Sequence, residues 1–457
     1  MDVISKFLKK NRKKSLNIHC LGDAVVDEYC QIDVSRVSPE APALVMRSFQ
    51  EKFSIRPGSV ANVAYQFKHF NVDVALHTFY DRYATFVFDA CGTHRWLGTS
   101  YAEAHLPIKR RYIDDNGVQV VRHDIEQPLC GLTVNQIDDY YRGLSKELNQ
   151  QSVECDVAIF SDYDKGFFSG TKKYLNLFKG VKTIVDPKLG PLDKWKGCTI
   201  FKPNAKEAFD LSGLSDWQEQ VLFFQQKLGC SAVVITHGGE KVVGIDHNEF
   251  FCYMPTKTVH VESVVGAGDC FCAFFAMAIG HGFTVPEAVE IAWNAGARYV
   301  QGTMNQPITP AELSLDGIVE PEDLRDRDFK LVFANGCFDL IHIGHLSTLE
   351  FAKGKGDKLV VALNSDASVE RLKGKGRPVM PLEQRMAVMS SLKSVDFVVS
   401  FDEDTPLEVI KKIRPDVLVK GEDYKKEDIV GADIVPEVFQ VPLIEGLSSS
   451  KFIRKIH

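Results

Sequence analysis

The sequence has no run of the about eighteen apolar residues that a membrane-spanning helix requires, so no membrane span is expected. Its 11 cysteines include no CxxC pair, and thiols scattered through so large a chain read as reduced, buried side chains rather than a disulfide framework. Positive charge is not in excess: the net charge of −7 removes any global electrostatic reason to bind nucleic acid or anionic lipid. Internal repeats and low-complexity tracts are missing as well. The basic opening segment MDVISKFLKKNRKKSLN lacks the continuous apolar stretch of a secretory signal and reads as a short solvated helix ahead of the first strand. What is left is the expectation of a globular, cytoplasmic protein.

The 457 residues exceed one ordinary domain at about 150 residues each, and 45% apolar with 25% charged residues is a globular mixture. Apolar β-rich runs occur at 17–29 (NIHCLGDAVVDEY), 72–80, 157–163, 182–187, 198–203 and 232–239. Segments of helical period lie between several of them, at 171–179 and 216–229. This alternation predicts an α/β domain with a doubly wound, mainly parallel sheet covered on both faces. Residues 302–330, with three prolines and the cluster EPEDLRDRD, break the pattern. A second βα series then begins at KLVFANG and continues through 358–366, 396–404, 416–424 and 437–446, which suits a smaller Rossmann-like domain. The expected boundaries are 1–315 for the first domain, 316–329 for a linker and 330–457 for the second domain.

Two segments carry chemistry. In SVVGAGDCFCAFFAMAIGHG (263–282), Gly266, Ala267 and Gly268 lead into a long apolar helix with Asp269 in its first turn. Small residues leave backbone N–H groups open at the positive end of a helix, where they can hold the charge of a phosphoryl group in transfer. Asp269 is then placed to take a proton from an attacking hydroxyl. A glycine turn that merely starts a core helix is the plainer alternative. In CFDLIHIGH (337–345), His342 falls at a strand-to-helix turn and His345 in the first helical turn, with Gly344 between them. Two imidazoles there can donate to an α-phosphate and a departing pyrophosphate, the attacking group being the substrate's own phosphate. A metal pair would want further ligands at suitable spacing, and none is convincing.

The GAGD segment resembles the signature of the ribokinase (PfkB) family of sugar kinases, and other segments follow in that family's order. The resemblance implies a ribokinase-like fold, ATP as substrate and Mg²⁺. It implies that Asp27 in GDAVVDEY, at the end of the first strand, binds sugar hydroxyls, with Gly58 and Asn62 of PGSVANVA nearby. KPNAKEA resembles the family's N-x-x-E motif, so Asn204, Ala205, Lys206 and Glu207 are expected at the nucleotide, Glu207 acting indirectly on Mg²⁺. Thr236 and Gly238 of THGG, and Asn294 of WNAGARYV, are expected around the nucleotide and its base. SRVSPEAPALVM, SDYDKG and VDPKLG resemble the kinase half of the bifunctional ADP-heptose synthesis family, so Arg36, Lys165 and Lys188 are expected to face the far phosphate of a sugar phosphate.

FANGCFDLIHIGH resembles the G-x-F-D-x-x-H-x-G-H signature of the cytidylyltransferase-like nucleotidyltransferases, which implies nucleotide contacts from Asn335, Gly336, Cys337, Phe338 and Gly344. The segment from ALNSDASVERLKGKGRP to SLKSVD resembles the adenylyltransferase half of the same heptose family. Asn364 and Asp366 are expected beside the nucleotide, and Lys353 and Arg385 on its phosphates. Ser448, Ser449 and Ser450 of EGLSSSKFIRKI stand where the wider family binds β- and γ-phosphates. The implied enzyme phosphorylates D-glycero-D-manno-heptose 7-phosphate at O1 and makes ADP-heptose and pyrophosphate from the 1-phosphate. A homodimer through the kinase half is implied as well. The residues leave open another sugar or polyol, CTP in the second domain, and a catalytically weak first domain.

Overall fold

The protein, seen in a computed structural model, is described over residues 2–441 apart from 41, 43, 48–52, 80–94, 97–103, 116–117, 151–153, 170–173, 256–258, 260, 303–305, 315–316 and 423–428. The side chains of 34–37, 44, 95–96 and 150 are likewise outside the description. The chain divides into two compact units, Met1–Ile308 and Thr309–His457.

The first unit opens with helix α1 (Val3–Lys13), then strands β1 (Leu16–Gly22), β2 (Ala24–Gln31), β3 (Asp33–Val37), β4 (Leu44–Arg47) and β5 (Phe53–Ser59). Helix α2 (Val60–Tyr65) leads to β6 (Val72–His77), β7 (Arg95–Trp96), β8 (Ile108–Ile113) and β9 (Gln119–Ile125). Helix α3 (Val134–Gln150), β10 (Val157–Ser161), β11 (Lys182–Asp186), β12 (Ile200–Phe201), α4 (Ala205–Ser212) and α5 (Trp217–Leu228) follow. The unit closes with β13 (Ala232–His237), β14 (Lys241–Asp246), β15 (Glu249–Tyr253), α6 (Ala267–Gly280) and α7 (Val285–Tyr299).

Nine strands form the main sheet in the order β15-β14-β13-β12-β11-β10-β1-β6-β7, parallel except for β14, which pairs antiparallel with both β13 and β15. A separate four-stranded sheet has the order β5-β2-β8-β9. The run 17–29, expected as one strand, is therefore two strands in different sheets. The break lies at Gly22, whose φ is +151° and where a Cβ would sit 2.0 Å from the Ser161 carbonyl oxygen. Only glycine allows β1 and β10 to meet there.

Helix α6 is apolar all round, and Phe274, Phe275 and Met277 are fully buried against α7 and α2, as a core helix requires. Helix α1 is not simply solvated: Phe7 and Ile4 are buried, with Phe7 among Phe70, Phe274 and Phe283. The 171–179 segment, expected as a helix, is a 3-10 turn over Tyr174–Phe178.

The second unit runs α8 (Pro310–Leu313), β16 (Leu331–Gly336), α9 (Ile343–Lys353), β17 (Lys358–Asn364), α10 (Asp366–Lys373), α11 (Leu382–Ser390), β18 (Phe397–Phe401), α12 (Leu407–Ile413), β19 (Val417–Gly421) and β20 (Glu437–Val441). Its sheet is wholly parallel in the order β18-β17-β16-β19-β20. The expected linker 316–329 is no linker. Ile318 bridges to Val398, and Val319 and Leu324 are buried with Phe397 and Ile413 in this unit's core. Arg327 ties the acidic and basic cluster down by donating to Asp416 and the Ile413 carbonyl.

Candidate active sites

In the first unit, Gly266 (φ +79°) caps α6. The Ala267 N–H bonds the Val264 carbonyl at 3.2 Å, which leaves those of Gly268 and Asp269 as the helix's open donors. Of the expected anion-hole positions, Ala267 has its N–H engaged and Gly268 presents an open one, joined by Asp269. Asp269 lies just inside this N-terminus. Tyr163 Oη donates to its Oδ1 at 2.6 Å and Asn62 Nδ2 to its Oδ2 at 2.9 Å. Burial pushes the Asp269 carboxyl up to about 6, while the Tyr163 and Asn62 hydrogen bonds restrain it. It is ionised at neutral pH and able to receive a proton. A carboxylate has about four acceptor sites, so two donors still leave room for a substrate hydroxyl.

Around Asp269 stand groups from several elements. Asp27 is not at the end of β1 but within β2, where Arg111 of β8 pairs with it at 2.5 Å. Gly58 faces it so closely that a Cβ would lie 2.6 Å from Asp27 Oδ2. Lys109 Nζ lies 5.4 Å above the Tyr163 ring and Lys188 Nζ 5.0 Å from it. Lys188, expected at the sugar's far phosphate, is bonded to Glu207. Lys165 pairs with Glu126 at 2.7 Å. Arg36 lies on β3 opposite Val45, with its side chain outside the described residues.

Asn204 and Glu207 form a capping box on α4: Asn204 Oδ1 accepts the Glu207 N–H and Glu207 Oε2 accepts the Asn204 N–H, both at 2.9 Å. Ala205 starts this helix and Lys206 is exposed on it. The loop is bridged to Thr236, and Gly238 follows at φ +57°. Asn294 donates back to the Glu290 carbonyl at 2.8 Å on α7. Beneath lies a buried pair the sequence did not reveal, Lys202 to Asp186 at 3.0 Å. Burial alone would lower the Lys202 ammonium, but Asp186 holds it above its ordinary value.

In the second unit His342 caps α9 and His345 sits in its first turn, as expected. Their rings stack with centroids 3.9 Å apart, and Phe338 (φ +44°) sets its ring edge against His345 at 5.1 Å. Burial lowers both imidazoles, and His342 beside it contributes to bringing His345 down to about 4. Both are neutral N–H donors at pH 7, and arriving phosphate charge would favour their protonation. Gly344 lies between them in the first turn. Asn335, at the strand end, accepts from Lys420 Nζ at 3.0 Å, while a Cβ on Gly336 would press on the Phe338 ring at 3.0 Å. Asn364 closes β17 with its Oδ1 3.9 Å from Cys337 Sγ.

Two expected phosphate ligands do other work. Arg385 is buried and donates to the carbonyls of Met380, Cys337 and Asn364 and to Asp366 Oδ1, at 3.0, 2.8, 2.9 and 2.7 Å. It clamps the ends of β16 and β17 to the segment before α11. Lys353 pairs with Asp396 at 2.5 Å. Asp396 precedes β18, and in a parallel sheet strand starts lie at the edge opposite to the His342–His345 turn. Asp339, missed by sequence reasoning, is buried and accepts from Arg377 Nε at 2.6 Å and from the Val379 and Met380 N–H groups at 2.8 and 2.9 Å. It holds the basic loop 373–377 beside Cys337. Ser448, Ser449 and Ser450 lie outside the described residues.

A pfkB family carbohydrate kinase model matches residues 173–311, and a cytidylyltransferase-like model matches 333–454. The bifunctional protein HldE of Campylobacter jejuni subsp. jejuni serotype O:6 is 34% identical, the match covering 99% of this chain and 99% of that protein. The same-named protein of Salmonella paratyphi B is 33% identical over 95% and 96%. The chain belongs to the HldE family. Its enzymes join a carbohydrate kinase to a nucleotidyltransferase in one polypeptide, and this chain is such a bifunctional enzyme. The first unit also has the fold of phosphofructokinase-2 from Escherichia coli (TM-score 0.53, 16% identity, 65% of this chain and 96% of that one) and of ribokinase from Thermotoga maritima (0.50, 18%, 65% and 98%). Within this HldE-family chain, the residues that sequence reasoning missed are Tyr163, Lys109, Arg111, Asp186, Lys202 and Asp339. Tyr163, Asp186, Lys202 and Asp339 lie inside the segments SDYDKG, VDPKLG, KPNAKEA and FANGCFDLIHIGH, but their partners lie elsewhere in the chain and could not be read from those segments.

Proposed function

We propose that the first unit transfers the γ-phosphoryl group of ATP to O1 of D-glycero-D-manno-heptose 7-phosphate. The second makes ADP-heptose and pyrophosphate from ATP and heptose 1-phosphate. The observation that carries the kinase assignment is Asp269 behind the open N–H groups of Gly268 and Asp269, with a donor on each carboxylate oxygen. Asp269 takes the O1 proton as O1 bonds to the γ-phosphorus and ADP leaves. The helix end stabilises the equatorial oxygens, and the ammonium groups of Lys109 and Lys188 supply positive charge nearby. In the second unit, an oxygen of the sugar 1-phosphate attacks the α-phosphorus and pyrophosphate departs toward the His342–His345 pair and the basic loop.

Mg²⁺ fits this chemistry as a companion of the nucleotide. Among the described residues no group of three or more His, Cys, Asp or Glu could hold a metal, and Mg²⁺ commonly rests on substrate phosphates with one or two carboxylates. Glu207, with Oε1 on Lys188 and Oε2 on the Asn204 N–H, would act through water and charge. When bound, the metal neutralises phosphate charge. Homodimerisation through the kinase unit is supported by β9, an edge strand exposing Val121 and Ile125. No helix among the described residues is long and apolar enough to cross a membrane; with ATP as substrate and free thiols, a cytoplasmic setting is the natural one.

The test is mass spectrometry of products from heptose 7-phosphate, ATP and an added phosphatase. ADP-heptose is expected, through a 1,7-bisphosphate seen when the phosphatase is withheld. CTP-dependent product would overturn the nucleotide choice, and failure to consume ATP with any sugar phosphate would overturn the kinase assignment.

A further inference from the structure

The Tyr163 side chain reaches the kinase site from a loop built to hold it still. Asp164 (φ +56°) and Gly166 (φ +115°) fold residues 162–167 back on themselves. The buried carboxylate of Asp23, just after β1, accepts the backbone N–H groups of Tyr163, Lys165 and Phe167 at 3.0, 3.1 and 2.9 Å. The ring lies beneath the ammonium groups of Lys109 and Lys188, and its hydroxyl ends 2.6 Å from Asp269 Oδ1. On the other carboxylate oxygen, Asn62 is itself oriented by Gln66 Nε2, which donates to Asn62 Oδ1 at 3.1 Å. So the carboxylate of Asp269 is gripped from two elements, and only one grip is ionisable.

We propose that Tyr163 is a positioning residue of the phosphoryl transfer, whose hydroxyl aims the Asp269 carboxylate and sets the pH at which it can act as base. This rests on the reading of the first unit as a kinase. The charged surroundings are consistent with the role. Asp27 of β2 with its partner Arg111 of β8, Asp186 at the end of β11 with Lys202, Glu207 of α4 with Lys188, and Lys109 of β8 all face this pair. Cys270 and Tyr299 border it from α6 and α7. Burial, then the nearby carboxylates Asp269 and Asp186, push the phenol well above its usual range, so it remains an O–H donor wherever Asp269 is ionised. That donation stabilises the anionic form of the base against the pull of burial.

The experiment is the pH profile of sugar-phosphate-dependent ATP consumption by the full chain. Tyr163→Phe removes the donor, so the acid limb moves up by about one pH unit while the high-pH plateau keeps most of its height. With 3-fluorotyrosine at position 163, an isosteric and stronger donor, the limb moves the opposite way. This variant keeps the test decisive should the phenylalanine form fail to fold. An acid limb that stays at the wild-type pH in whichever of the two is folded, or a rate lowered equally at every pH, overturns the proposal. If the unsubstituted protein consumes no ATP with any sugar phosphate, it is the kinase reading that fails instead.

Discussion

Arg385 presents its guanidinium to four acceptors in different directions, three of them backbone carbonyls at the ends of the nucleotide loops. A lysine carries one point charge and cannot span that fork. Arg385→Lys should leave buried carbonyls unpaired and destabilise the second unit by about 2–4 kcal/mol, with pyrophosphate release down about tenfold or more. A lowered urea midpoint for that unit, together with the assay, checks it; an unchanged midpoint would refute the guanidinium as a clamp on those carbonyls. Sequence reasoning took this arginine for a phosphate ligand because charge type was visible and partners were not. The helix-start positions of Asp269, His342 and His345 were legible because each lies within two residues of a glycine at the start of a helix, a pattern contained in a few residues. Tyr163 and Asp269 are separated by 106 positions, Arg111 and Asp27 by 84, and no short motif records such meetings.

At the scale of elements, periodicity located the five strands of the second unit and the central parallel strands of the first, because parallel strands buried on both faces read as unbroken apolar runs. It missed β3, β4, β5, β7, β8, β9, β14 and β15, which lie in the smaller sheets or toward the ends of the main one. It also failed at Gly22, where Asp23 alone separates β1 from β2. That glycine is a crossing point: β1 passes so close to β10 that a methyl group would overlap the Ser161 carbonyl. The next residue, Asp23, then anchors the Tyr163 loop. Gly22→Ala should force the crossing apart and destabilise the first unit by about 3 kcal/mol or more. Kinase activity should fall with it, whereas pyrophosphate release by the second unit should persist. A thermal melt that keeps the wild-type first transition would refute the crossing as a constraint. The 3-10 turn at Tyr174–Phe178 was misread for a related reason, since a short apolar stretch of helical period does not reveal how many turns it completes.

At the scale of the whole molecule, the boundary matters more than the composition around it. Prolines and dense charge suggested a linker, yet charge at the surface of 309–329 conceals Ala311, Val319 and Leu324, which are buried in the second unit. Fully burying a valine or leucine side chain contributes about 1.5–3 kcal/mol, so deleting these residues removes a large share of the 5–15 kcal/mol a domain typically has. The deletion also breaks the Ile318–Val398 bridge and strips the Arg327 bonds from the end of α12 and from Asp416, which itself holds the Leu331 N–H at the start of β16. A fragment of residues 309–457 should therefore melt cooperatively and release pyrophosphate from ATP and a sugar 1-phosphate. One of residues 330–457 should melt far lower or aggregate, although it contains every residue expected at the nucleotide. Equal melting temperatures, followed by circular dichroism, would mean that 309–329 only connects. The HxGH turn hangs on β16, so a loose start to that strand would also show as weaker nucleotide binding before any loss of fold.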